Sequence, residues 1–147
     1  MNVTTPSGVV TTNAGGTIGC VTGSISTSLT GRYVALADVC GAANEVSAAG
    51  DLDLGFGPTP LATDCTVPAG HSAGDTKASR TGMFELTRIN EQARGYLPTN
   101  AWLNTTLTSN MNINNTCNAF WNGTVNFYRD NGSTCRNTGE IAAVFDH

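Results

Sequence analysis

Charge is scarce in this chain: 12% of its 147 residues are Asp, Glu, Lys or Arg, about half the share usual for soluble domains. Seven residues are basic and the net charge is −4. No positive stripe can then follow a phosphate backbone, which excludes nucleic acid as a partner. Long apolar runs are missing too. None approaches the roughly 20 residues that span a bilayer, so no membrane span is expected. Met1-Asn2-Val3-Thr4-Thr5-Pro6 lacks the basic-then-apolar pattern of a signal peptide. No two cysteines stand as CxxC, which excludes zinc ribbons and thioredoxin-like centres. No serine sits in a GxSxG elbow and no phosphate-cradling glycine loop is followed by Lys-Ser/Thr.

What fills the gap is Thr, Ser, Asn and Gly, a composition suited to a turn-rich, β-containing, secreted protein. The length fits one domain, residues 1–147, able to bury roughly 70% of the surface its unfolded form exposes. Five cysteines at wide spacing read as disulfides formed in an oxidising compartment. Cys117 is expected to pair with Cys135 across a hairpin and Cys40 with Cys65 across a Gly-rich loop. Cys20 is left over, either missing a partner or buried as a free thiol. Sequons begin at Asn2, Asn104, Asn114, Asn122 and Asn131, and in so Asn- and Thr-rich a chain they arise by chance.

Residues 1–72 read as β structure with long loops. Val9-Val10, Thr17–Val21 and Arg32–Val39 are the apolar alternations, the last apolar on both faces and therefore an interior strand. Residues 41–70 read as loop, with one short strand around Leu52–Leu54. From Asp75 or Thr76, either able to cap a helix, Met83, Leu86, Ile89, Ala93 and Leu97 recur at three- and four-residue spacing, so an amphipathic helix is expected over 75–97, ended by Pro98. Met111–Ile113 and Ala119–Phe127 read as strands of a hairpin over about 111–128, with Asn122-Gly123 as bulge or turn and Asp130–Ser133 as a tight turn. Asn137 and Glu140 have capping-box spacing, which predicts a second helix over 137–147. The fold class is α+β.

Chemistry-bearing groups are few. His71 lies in a Gly/Ser loop and reads as a solvated loop residue rather than a ligand. Asp51, Asp53 and Asp64 offer oxygens for calcium, although turn chemistry accounts for them as well. The segment Cys117-Asn118-Ala119-Phe120-Trp121-Asn122-Gly123-Thr124-Val125-Asn126-Phe127-Tyr128 resembles the Asn-Ala-Phe-Trp-Asn-Gly edge strand, bulge and following strand of thermolysin-like and fungalysin-like zinc metallopeptidases. The long helix before it and the short helix after it, the latter leading into the HExxH zinc motif, fall in the family's order. The resemblance covers roughly residues 72–147.

The resemblance implies the N-terminal half of a metallopeptidase catalytic domain, ending on the first His of HExxH. Asn118, Ala119, Phe120 and Trp121 would border the peptide substrate, which adds to the edge as an extra strand; Phe120 and Trp121 are equally readable as ordinary core aromatics. His147 would be the first zinc ligand. The general base, the second His and the third ligand would lie in the C-terminal half, the chain's partner in this reading, so no catalytic residue is expected within these 147 and the chain alone is expected to be inactive. Many of these enzymes carry a calcium-binding Asp four residues before that His, where this chain has Ala143; calcium is thus unsupported there. The alternative is a non-catalytic extracellular structural or assembly module, polymerising through an open edge strand. A glycan-binding domain rests only on composition.

Overall fold

The computed structural model describes residues 1–48, 50–55 and 64–147. It is a mixed α+β structure of two four-stranded sheets and one main helix. The first sheet is antiparallel, built from β1 (Asn2–Thr5), β2 (Gly8–Thr11), β3 (Ile25–Thr27) and β5 (Glu45–Ser47) in the order β2-β1-β3-β5. Of these, only β2 contains an apolar pair that alternation picks out, Val9-Val10. Thr17–Val21, expected as a strand, is irregular, as is Leu52–Leu54.

The second sheet carries the regular core. β4 (Val34–Asp38) lies parallel to β6 (Leu107–Ile113), β6 parallel to β8 (Val125–Tyr128), and β7 (Ala119–Trp121) runs antiparallel to β8 at the far side. The hairpin is therefore β7–β8, and β6 joins it as a parallel neighbour of β8 rather than as a hairpin arm. β4 is not an interior strand but ends the sheet. Its outer side is met by a loop, through Gly31 N–H to Val34 O at 2.6 Å and Leu36 N–H to Leu29 O at 3.4 Å. That loop takes up the edge main-chain groups much as a further strand would.

Parallel strands need a crossover, and α1 (Lys77–Tyr96) supplies the one between β4 and β6. Thr76 caps it, its hydroxyl accepting from Ser79 N–H at 3.1 Å; Asp75 does not. Met83 and Leu86 from the predicted stripe are buried, while Leu97 at its end is exposed. They join Leu29, Val34, Ala78, Met111, Phe127 and Phe145 in one core. Gly82 lets Met111 reach the helix: a Cβ there would lie 3.0 Å from the Met111 Cε. No helix among the described residues is long and apolar enough to cross a membrane.

The predicted helix over 137–147 divides in two. Asn137 caps a 3-10 turn, Thr138–Glu140, accepting from Gly139 N–H at 2.9 Å, and Ile141 leads into the short α2, Ala142–Phe145. The Glu140 carboxylate reaches Lys77 at 3.2 Å. Phe145 stacks on Phe127 with ring centroids 4.3 Å apart, anchoring α2 to the sheet.

Asn112, in β6, sits at φ +58° at a register shift against β8. The bulge turns its amide inward, where Nδ2 donates to Asp38 Oδ2 at 2.8 Å and to Thr76 Oγ1 at 3.0 Å, and Oδ1 accepts from Asn137 Nδ2 at 2.6 Å. Asn is among the few residues that adopt this backbone region readily.

Both expected disulfides form, Cys40–Cys65 and Cys117–Cys135. Cys20 is a free thiol and exposed, not buried.

Candidate functional site

Two regions are candidate sites, the border of the second sheet and a buried cluster at the β5 end of the first. At the border, β8 pairs with β7 through Ala119–Phe127, Phe120–Asn126 and Trp121–Val125. Asn118 O accepts from Tyr128 N–H at 3.2 Å and Phe120 O from Asn126 Nδ2 at 3.3 Å, so both point toward β8. Successive residues of a strand alternate in direction, which turns the N–H and C=O of Ala119 and Trp121 to the open side. Among the described residues no other strand pairs with β7. Its side chains split between the faces. Phe120 is half-buried against Tyr128 with centroids at 5.6 Å, and Trp121, 55% exposed, meets Trp102 edge-on at 6.0 Å. Neither belongs to the core. The Asn118 side chain is exposed.

His147 is exposed, just beyond α2. Its neighbour Asp146 pairs with Arg88 at 2.9 Å. Among the described residues His147 belongs to no group of three potential metal ligands. Catalytic zinc takes three protein ligands, so these residues do not by themselves fit that metal. The calcium trio does not assemble either. Asp53 Oδ1 is occupied by Gly55 N–H at 2.7 Å, and Asp64 Oδ1 accepts from Asp130 N–H at 3.0 Å and Asn137 Nδ2 at 2.8 Å.

The buried cluster consists of Glu45, His71 and Asp75, each offering a ligand atom, all within 4.8 Å of one another. His71 is not a solvated loop residue: its side chain is 14% exposed, with Nδ1 2.8 Å from Glu45 Oε2 and 3.1 Å from Asp75 Oδ2. The ring has at most one hydrogen at Nδ1, which Glu45 takes. Both oxygens of the fully buried Asp75 carboxylate are left without a hydrogen bond. Arg80 lies 3.4 Å from Asp75 Oδ1, but its NH1 donates to the Asp75 main-chain oxygen. The other Glu45 oxygen, Oε1, accepts from Ser72 N–H at 2.8 Å and from the Ser72 hydroxyl at 2.5 Å. Close approach makes this possible. Gly74 N–H bonds Ala42 O at 3.1 Å, and Gly55, at φ +69°, lies so near the ring that a Cβ would stand 2.9 Å from His71 Nε2.

Burial alone would push Glu45 up, but the Ser72 hydroxyl and N–H, with His71, outweigh it and hold the carboxyl below its ordinary value. Burial raises Asp75 above its ordinary value; Glu45 adds to the rise, while Arg80 and His71 oppose it. A folded carboxyl that ionises at higher pH than the unfolded one weakens the fold above that pH, and the cost fades as the pH falls toward the ordinary carboxylate range. Relative to Asp75→Asn, the native chain with a chelator present should therefore gain stability as the pH falls from neutral toward the ordinary carboxylate range, as read from urea denaturation at both ends. A difference that does not change with pH would contradict this.

The sequence signals for the cluster are thin. His71 and Asp75 are four residues apart ahead of a helix, but Asp75 also reads as a cap, and Glu45 arrives only through tertiary structure. Compared with protein-family models, with curated proteins and with solved structures, the chain matches none of them.

Proposed function

We propose that this chain carries the substrate-docking border of a secreted zinc metalloendopeptidase of the thermolysin-like kind. The observation that supports the reading is β7, which has no strand on its outer side among the described residues and turns the main-chain groups of Ala119 and Trp121 outward. An extended peptide docks there by main-chain hydrogen bonds that any sequence can supply, as a broad-specificity endopeptidase requires. The exposed Asn118 amide and the Trp102–Trp121 pair flank the edge, the first as a polar contact and the second as an apolar wall. In this reading His147 is one imidazole of the zinc site, and the chain docks peptide while cleavage depends on groups in the C-terminal half. The two disulfides agree with an oxidising destination.

The test is to read the coding sequence after His147, express the encoded protein and assay hydrolysis of an unfolded protein with and without a zinc chelator. A Glu directly after His147, a second His four residues beyond His147 and chelator-sensitive cleavage are expected. A continuation without that motif would remove the enzyme reading.

The second reading, an assembly module, draws on β2: every residue of it is exposed, Val9 at 66%, and among the described residues no strand pairs with its outer side. Sedimentation separates the two, since a defined polymer joined through β2 or β7 belongs to the module alone.

A further inference from the structure

We propose that Glu45, His71 and Asp75 are the ligands of a divalent transition-metal ion that ties β5 to the start of α1. Each ligand comes from a different segment: Glu45 from β5, His71 from the loop, and Asp75 from the residue before the Thr76 cap. One ring nitrogen and two carboxylate oxygens form a donor set suited to zinc, manganese or cobalt, whereas calcium and magnesium take oxygen throughout. Metal–ligand bonds of about 2.0–2.2 Å set tetrahedral donors about 3.3–3.6 Å apart. The pairs at 2.8 and 3.1 Å need to spread by about 0.2–0.8 Å, and all three ligand atoms lie within 4.8 Å of one another.

Asp75 carries the argument. Its carboxylate has no exposed surface and no well-formed hydrogen bond to either oxygen, only Arg80 at 3.4 Å and the His71 ring at 3.1 Å, a poor complement for a buried polar group. A cation at Oδ2 provides a better one. The surrounding groups already hold the other ligands in position: Ser72 engages Glu45 Oε1 twice, which leaves Oε2 facing His71. Such supports around metal ligands fix their orientation. Two carboxylates balance the charge of a dication. The site is distinct from His147, and its role is to hold the first sheet on the helix.

The experiment uses the 147-residue chain with Cys20→Ser, which removes the one exposed thiol, stripped of metal and titrated with zinc. The chain has two histidines, so long-range proton–nitrogen NMR reads both rings at once, His147 serving as the internal control. One bound equivalent is expected, with His71 Nδ1 moving to the shift of a metal-bound nitrogen and the His147 ring unmoved. His71→Ala and Glu45→Gln should each weaken binding by about 100-fold or more, since loss even of a supporting partner costs about 10–100-fold. Affinity should also fall with falling pH as protons compete for the ring and carboxylates. Absence of uptake overturns the proposal, as does uptake that leaves the His71 ring unchanged. The ring measurement is made on the unaltered cluster, so it decides the matter even if a variant fails to fold.

Discussion

Gly74→Ala is expected to remove about 3 kcal/mol or more of stability, near the top of what a single added methyl costs. The new Cβ would stand 2.3 Å from Ala43 N, 2.5 Å from the Ala42 carbonyl carbon and 2.5 Å from Gly41 O. All three are backbone atoms, so no side chain can rotate away. One of the two segments must retreat, and the Gly74 N–H to Ala42 O bond goes with it. That seam also sets Glu45 against His71 and Asp75. Urea denaturation would measure the loss, and a change below about 1 kcal/mol would show that the two backbones are not held so close.

The second large effect is expected at Asn112. Asn112→Ala should cost about 3 kcal/mol, from two sources. Alanine at φ +58° adds about 1 kcal/mol of backbone strain. Loss of the amide leaves buried polar groups short of partners, at about 1–3 kcal/mol for an unsatisfied group. Asp38 Oδ2 would keep Thr76 and Ser79 hydroxyls, each at 2.6 Å. Asn137 Nδ2 would keep only Asp64. The cost falls on the junction where β4, β6, α1 and the turn before α2 meet. A thermal melt unchanged within error would refute the account.

The parts of this fold legible in the sequence are those with a period or a fixed spacing. Met83, Leu86 and Ile89 announce α1 because a helix on a sheet must show an apolar stripe. Ala119–Phe127 shows as β structure with Asn122-Gly123 as bulge or turn, but the expected hairpin partner, Met111–Ile113, pairs parallel to β8 instead. Both disulfides form as expected, although spacing by itself does not fix which cysteines pair. β1, β3 and β5 leave no such trace. They are three or four residues long and rich in Thr and Ser, too short and too polar for alternation to stand out. Val34–Asp38 reads as interior, yet ends its sheet, because apolarity on both faces reports cover and not what provides it. The spacing of Asn137 and Glu140 predicts one continuous helix, yet Asn137 is drawn into the polar junction with Asn112 and Asp64, which favours a tight 3-10 turn. His71 reads as solvated because the residue that buries it, Glu45, lies in a distant strand.

The parallel pairing of β4 with β6, in which Leu36 faces Ser109, has a consequence for biosynthesis. Every strand of the first sheet lies within residues 2–47, so that sheet has low contact order and can assemble while the nascent chain is short. β4 emerges in the same stretch but waits until α1 and Leu107 have left the ribosome before its lasting neighbour exists. The second sheet is thus completed late, and until then the Val34 and Leu36 strand lacks its lasting neighbour.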